Sequence, residues 1–174
     1  VFNRIDPITE SGLNYRISLP NVTVYRSPGR FIDEKTILVD DEVITAEQIV
    51  VAAGARPSVP NIPGMSEVPY LTSDEMMRVD KLPSHLVIIG GGFIAVEMAH
   101  IFSAFGSEVT IVHRGDRLLR EMDSDISERI TEIYANRMNL FLETEVSQIA
   151  HNESFEINLS SGDSIVCDQL LVAT

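Results

Sequence analysis

Gly90, Gly92 and Ala95 stand in a G-x-G-x-x-A spacing, and Arg114, Arg117 and Arg120 crowd one short stretch downstream of it. The first set is what a bound phosphate asks of a backbone. Gly90 permits a tight turn, Gly92 lets a pyrophosphate approach the main chain, and Ala95 is small enough for a helix to pack closely on a strand. A helix starting at that point presents N–H groups without intrahelical partners, and its positive dipole end, to the phosphates. The second set supplies cations. The chain has only 13 Lys plus Arg, so three in one loop is a concentration. The alternatives are a glycine-rich turn of some other α/β domain and a solvated basic loop.

Such a spacing carries weight only in context, after a strand and at the start of a helix. Residues 86–89 are a short apolar run, 93–105 are apolar-periodic, Gly106 sits where a helix end favours a left-handed residue, and 109–112 form a second strand-like run. A site for NAD carries Asp or Glu at the end of that second strand, to bind the ribose 2′-hydroxyl. Here the position holds His113-Arg114. A missing acid and added cations fit a 2′-phosphate, so the pattern predicts NADP(H).

The elements around this unit are read from pattern. Residues 1–19 hold a turn or two of helix. Alternation from Val22 and Val24, a turn at 27–29, and runs at 31–32, 36–39 and 43–44 predict a small antiparallel meander. Residues 49–53, ending at Gly54, suit a buried strand. Prolines 57, 60, 63 and 69 with Gly64 mark a linker, the clearest domain boundary in the chain. Residues 122–137 read as a helix capped by Asp123 or Ser124, with Ile126, Ile130 and Ile133 on one face. Residues 140–146 read as a strand, and 155–159 with 164–167 as a hairpin leading into a buried run at 169–173. The expected fold is α/β: a Rossmann-like βαβαβ domain with a three-stranded β-meander, preceded by a partial β-rich segment.

Composition narrows the function. A formal net charge of −13 argues against a nucleic-acid partner. No apolar run approaches the roughly 20 residues that span a membrane, and the first residues are not a signal peptide. Cys167 is the only cysteine, which excludes an internal disulfide and suits a reducing, cytoplasmic setting. It reads as a buried structural thiol. His85, His100 and His151 lack a metal-ligand or triad context, and the acidic clusters at 33–34, 40–41 and 123–125 read as turns and a helix start. A start at Val and a stop within a strand-like run suggest a piece of a longer protein.

The segments TAEQIVVAAGARPSVPNIPG, HLVIIGGGFIAVEMA, VTIVHRGDRLLREMDSDI and CDQLLVAT resemble the flavoprotein pyridine nucleotide-disulfide reductase family, over essentially the whole chain. VFNRIDPI, LNYR, GGGFIAVEMAHIFSAFG and DISERITEI are similar to the branch of that family that reduces mycothione. The resemblance implies that 1–58 are the tail of an FAD domain and 59–174 an NADPH domain. Gly29 would touch the FAD adenine through its backbone, with Ala53 and Gly54 packing beside the flavin dinucleotide. Gly90, Gly91, Gly92, Phe93, Ile94, Ala95, Glu97, His113, Arg114 and Arg120 would hold NADP(H). In that set Phe93 is a lid over the nicotinamide pocket, Glu97 faces the nicotinamide, and Arg114 and Arg120 clamp the 2′-phosphate. NAD-dependent members carry Glu where this chain has His113.

The intact enzyme, by the same resemblance, is a homodimer that passes electrons from NADPH through FAD and a protein disulfide to a small-molecule disulfide. The glycine motif for FAD, the cysteine pair and the acid/base His–Glu pair are all missing here, so no catalytic residue and no reductase activity are expected of these 174 residues alone. Other readings are the same portion of a member acting on glutathione disulfide, dihydrolipoamide or mercuric ion, or a nucleotide-binding or interaction module only. In the last case an unpaired strand at 49–53 would favour self-association.

Overall fold

The computed structural model describes residues 2–174, and their contacts fall into two compact units, one ending at Gly54 and one spanning Ala55–Thr174.

The first unit opens with helix α1, Phe2–Ser18, far longer than a turn or two. Pro7 lies inside it, but the carbonyl that a donor at position 7 would use belongs to the first turn, so the loss stays near the helix start. None of its side chains is buried, so no apolar stripe advertised it. Strands β1 (Gly29–Asp33), β2 (Thr36–Val39) and β3 (Glu42–Thr45) then form the expected antiparallel meander. Val22 and Val24 stay outside it. Residues 49–53 form no strand either, and Val50 and Val51 are 89% and 71% exposed. A buried strand needs neighbours for its N–H and C=O groups, and no described strand pairs with this run.

The second unit is three layers deep. A 3₁₀ turn at Met65–Glu67 and a short helix α2, Ser73–Met76, lead into β4, His85–Ile89. Next come α3 (Phe93–Phe105), β5 (Glu108–Val112), α4 (Ser124–Ala135) and β6 (Asn139–Phe141). Strands β7 (Val146–His151), β8 (Phe155–Leu159) and β9 (Ser164–Cys167) form an antiparallel meander, and β10, Gln169–Val172, closes the chain. The central sheet is parallel, in the order β10-β4-β5-β6.

Strand alternation explains the layers. Leu86 and Ile88 join Ala95, Met98, Ala99, Phe102 and Tyr134 in a helix-side core. Val87 and Ile89 join Ile149, Phe155, Ile157 and Cys167 in a meander-side core. A strand covered on both faces has no polar side to show, hence the unbroken LVII run. The α/β class, the parallel sheet and the three-stranded meander are as expected from sequence.

Three elements differ. The stretch 140–146 is not one strand: β6 ends at Phe141, Glu143 turns the chain with a left-handed φ of 49°, and β7 begins at Val146. On α4 the buried face is Ser127 and Tyr134, with Ile130 and Ile133 half-buried and Ile126 exposed. Asp123 takes the N-cap position but makes no side-chain cap bond. The proline-rich stretch is also more than a tether. Met65 and Val68 are buried in the meander-side core, and Leu71 bridges to Leu171.

Candidate functional site

In the parallel sheet β4 is followed on one side by β5 and flanked on the other by β10, so the chain reverses direction of travel at β4. Ligands of open α/β sheets bind beyond the carboxyl ends of the strands at such a point. A cleft of about 590 Å³ lies there, lined by Ile89, Gly90, Gly91, Gly92, Val112, His113 and Arg114, together with Ser58, Pro60, Asn61, Ile62, Thr144, Glu145, Val146, Ala173 and Thr174.

The three glycines do different work. Gly90 has φ 132°, a region L side chains avoid, and an added Cβ would stand 2.2 Å from the Ala173 carbonyl oxygen. Its N–H donates to the Val112 carbonyl at 3.0 Å. Gly91 has no such φ, yet an added Cβ would stand 2.5 Å from the His113 ring. Gly92 is the N-cap of α3, no side chain caps that end, and a Cβ there would meet nothing within 4 Å. The first helical bond runs from the Val96 N–H to the Gly92 carbonyl at 3.1 Å. The N–H groups of the three preceding residues therefore have no acceptor within the helix. Ala95 is wholly buried against the sheet, where any larger side chain would push α3 away. Gly106 closes the helix with φ 103°, as its position implies.

The basic loop is pinned on several sides. The His113 N–H donates to the Phe141 carbonyl at 2.8 Å, and the His113 carbonyl accepts from the Thr144 N–H at 3.1 Å. The Leu119 N–H donates to the Gly91 carbonyl at 2.8 Å. Leu118 is fully buried, its N–H donating to Thr131 Oγ1 and its carbonyl accepting from the Ser127 hydroxyl. Of the three arginines, Arg114 lines the cleft, Arg120 lies exposed 3.7 Å from Asp116, and Arg117 turns to Glu128 of α4 at 3.6 Å.

His113 Nε2 and Arg117 Nε are buried without a hydrogen-bond partner. Burial, then the charges of Arg120 and Arg114, press the His113 pKa below its usual value, against a smaller pull from the Arg117 carbonyl and Asp116. Burial and the two neighbouring cations thus both favour the neutral imidazole.

The cleft brings together Gly90, Gly91, Gly92, His113 and Arg114, with Arg120 packed beside His113. Phe93, 67% exposed, and Glu97 lie four residues apart on the exposed face of α3, and neither lines the cleft. Ile94 is half-buried in the helix-side core. In the first unit, Gly29 opens β1, and Ala53 and Gly54 lie exposed in irregular chain.

Cys167 is buried, and burial pushes its thiol up to about 12, so it stays a neutral, inert SH. His85 bridges the Val166 carbonyl and Thr110 Oγ1, each at 2.9 Å. His100 and His151 are exposed. Among the described residues no three His, Cys, Asp or Glu are poised to hold a metal. Ser58, Asn61, Thr144, Glu145 and Thr174 were not anticipated. Ser58, Asn61 and Thr174 lie within the family-like segments but carry no phosphate-binding pattern, and the set is assembled through tertiary contacts such as the 2.8 Å bond from the Thr174 hydroxyl to the Ser58 carbonyl.

Fold and site together define an open α/β domain with a glycine-lined cleft at the switch point of its parallel sheet. A family model described as pyridine nucleotide-disulphide oxidoreductase matches residues 5–174, and the chain belongs to that family. It is 46% identical over 181 residues to mycothione reductase of Mycobacterium tuberculosis, covering 100% of this chain and 39% of that protein. It is 38% identical over 154 residues to mercuric reductase of Staphylococcus aureus, covering 86% of this chain and 28% of that one. The solved structure of the HOCl-induced flavoprotein disulfide reductase RclA from Escherichia coli superposes with a TM-score of 0.86 at 29% identity, over 98% of this chain and 40% of that one. The chain therefore spans well under half the length of these relatives.

Proposed function

We propose that residues 59–174 are the NADP(H)-binding domain, and residues 1–58 part of the FAD-binding domain, of a cytoplasmic, homodimeric flavoprotein that reduces mycothione. The observation that carries the cofactor reading is Arg114. It stands at the end of β5 on the wall of the cleft, where an NAD site holds a carboxylate. The bare N-terminus of α3 suits the pyrophosphate, and Arg114 with Arg120 suits the 2′-phosphate. Phe93 and Glu97, exposed beyond the glycine turn, are assigned to the nicotinamide end.

NADPH, when bound, supplies the hydride and FAD relays its electrons toward the substrate disulfide. The chain's own part is to bind and orient. Gly29, at the start of β1, is assigned to the flavin through its backbone, with Ala53 and Gly54 beside it. The inert Cys167 supports the view that this chain contributes no redox thiol. The mycothione assignment leans on 46% identity along the whole chain, against 38% for the mercuric ion enzyme. No nucleic acid or membrane partner is assigned; among the described residues no helix is long and apolar enough to cross a membrane.

Calorimetric titration of the full-length protein with NADPH and with NADH tests this. NADPH is expected to bind at least about tenfold tighter, with Arg114→Ala erasing most of the difference. Equal binding of the two would overturn the 2′-phosphate assignment. Oxidation of NADPH with mycothione, glutathione disulfide and mercuric ion as acceptors, compared side by side, tests the substrate.

A further inference from the structure

The two arginines assigned to the 2′-phosphate share one anchor. Arg114 follows His113 and Arg120 follows Leu119, and both preceding residues converge on Gly91. Leu119 reaches it through the 2.8 Å bond from its N–H to the Gly91 carbonyl. His113 reaches it through its ring: a Cβ on Gly91 would lie 2.5, 2.6 and 2.7 Å from Cγ, Cδ2 and Nδ1. Gly115 backs the same ring, for a Cβ there would lie 2.6 Å from His113 Nε2 and 2.7 Å from Arg120 Cδ. Neither Gly91 nor Gly115 has a left-handed φ, so each supplies space rather than backbone freedom. The stack is fixed from outside as well, because the Glu143 N–H donates to the Gly115 carbonyl at 2.9 Å.

We propose that Gly91 is a positioning residue for 2′-phosphate selection. It seats His113 and Leu119, and through them sets Arg114 and Arg120. Its neighbours Gly90 and Gly92 serve the pyrophosphate turn instead. A methyl group at position 91 has to displace the imidazole, since close-packed interiors hold no spare volume for both. The displaced ring carries the two flanking arginines with it. This inference rests on the NADP(H) reading, and its test separates the two.

The probes are 2′,5′-ADP and 5′-AMP, which differ only in the 2′-phosphate, titrated calorimetrically into the full-length protein. Gly91→Ala is expected to weaken 2′,5′-ADP about tenfold while leaving 5′-AMP within about twofold. Equal losses for both ligands would overturn the proposal. Should Gly91→Ala fail to fold, Gly115→Ala presses on the far, Nε2 end of the same ring and is expected to give the same split; its absence would be equally decisive. A wild-type protein with no preference for 2′,5′-ADP would sink the NADP(H) reading itself, before any variant is compared.

Discussion

The hydroxyl of Tyr134 on α4 donates a 2.9 Å hydrogen bond to the carbonyl of Val96 on α3. Val96 closes the first turn of α3, where the N–H groups of residues 93–95 have no acceptor within the helix, so this bond ties the N-terminal end of one helix to the last turn of the next. Tyr134 is buried, and burial raises its pKa, so the hydroxyl remains a donor well into alkaline solution. Tyr134→Phe keeps the ring and removes the bond. It is expected to cost about 1 kcal/mol in denaturant unfolding. An unchanged midpoint would mean that the helices are held by their apolar seam alone.

Ser127 extends the same argument to the arginine loop. Its buried hydroxyl donates to the Leu118 carbonyl, and Thr131 Oγ1 accepts from the Leu118 N–H at 2.9 Å. Both polar groups of a buried loop residue are thus satisfied by α4. Ser127→Ala leaves the carbonyl without that donor, at an expected cost of about 1–3 kcal/mol. Because Leu118 and Leu119 lead directly into Arg120, the variant is also expected to bind NADPH more weakly than wild type. A variant as stable as wild type would show that water replaces the lost donor.

Cys167 gives a prediction of opposite character. Its thiol is raised to about 12 by burial, so a disulfide-exchange reagent at pH 8 is expected to leave the native protein unlabelled and to label it once unfolded. The raised value also has a stability consequence. Between the ordinary value of 9.0 and about 12 the folded state keeps a proton that the unfolded chain releases, so stability falls as pH rises through that window. Cys167→Ala is expected to show a shallower decline of Tm over the same range. Rapid labelling of the native protein would place the thiol in a mobile or solvent-reached part of the meander.

The glycine spacing, the strand–helix–strand unit and the meander were legible in sequence because each is specified locally. Gly90 needs its φ, Gly106 ends its helix, and the LVII run of β4 has no polar face to hide. What could not be read depends on contacts distant in sequence. Residues 49–53 have a strand's composition, but pairing decides whether a strand exists. The face that α4 buries follows Ser127 because a loop residue nine positions earlier needs its hydroxyl. Thr144 and Glu145 reach the cleft through a turn at Glu143 that no periodicity announces. The role of Gly91 was hidden for a similar reason: its neighbour in space, His113, is a strand and a helix away.

His113 itself carries the last prediction. Burial lowers its pKa first, with Arg120 and Arg114 adding to the effect. The unfolded chain takes up a proton near the ordinary value of 6.5 that the folded protein resists until lower pH. Stability therefore falls as pH drops through 6.5, and His113→Gln is expected to flatten that part of the profile. In an NMR titration of the free protein the His113 ring signals are expected to move at a pH below 6.5. Bound 2′,5′-ADP brings a dianion toward the same two arginines and offsets their charge, so the inflection is expected to rise. Asp116 and Glu145, the acids beside the ring and on the cleft wall, act in both states and leave the direction of that change intact. An inflection that the ligand fails to move would place the 2′-phosphate away from His113, and a free-protein value above 6.5 would mean that the ring is solvated rather than stacked between Gly91 and Gly115.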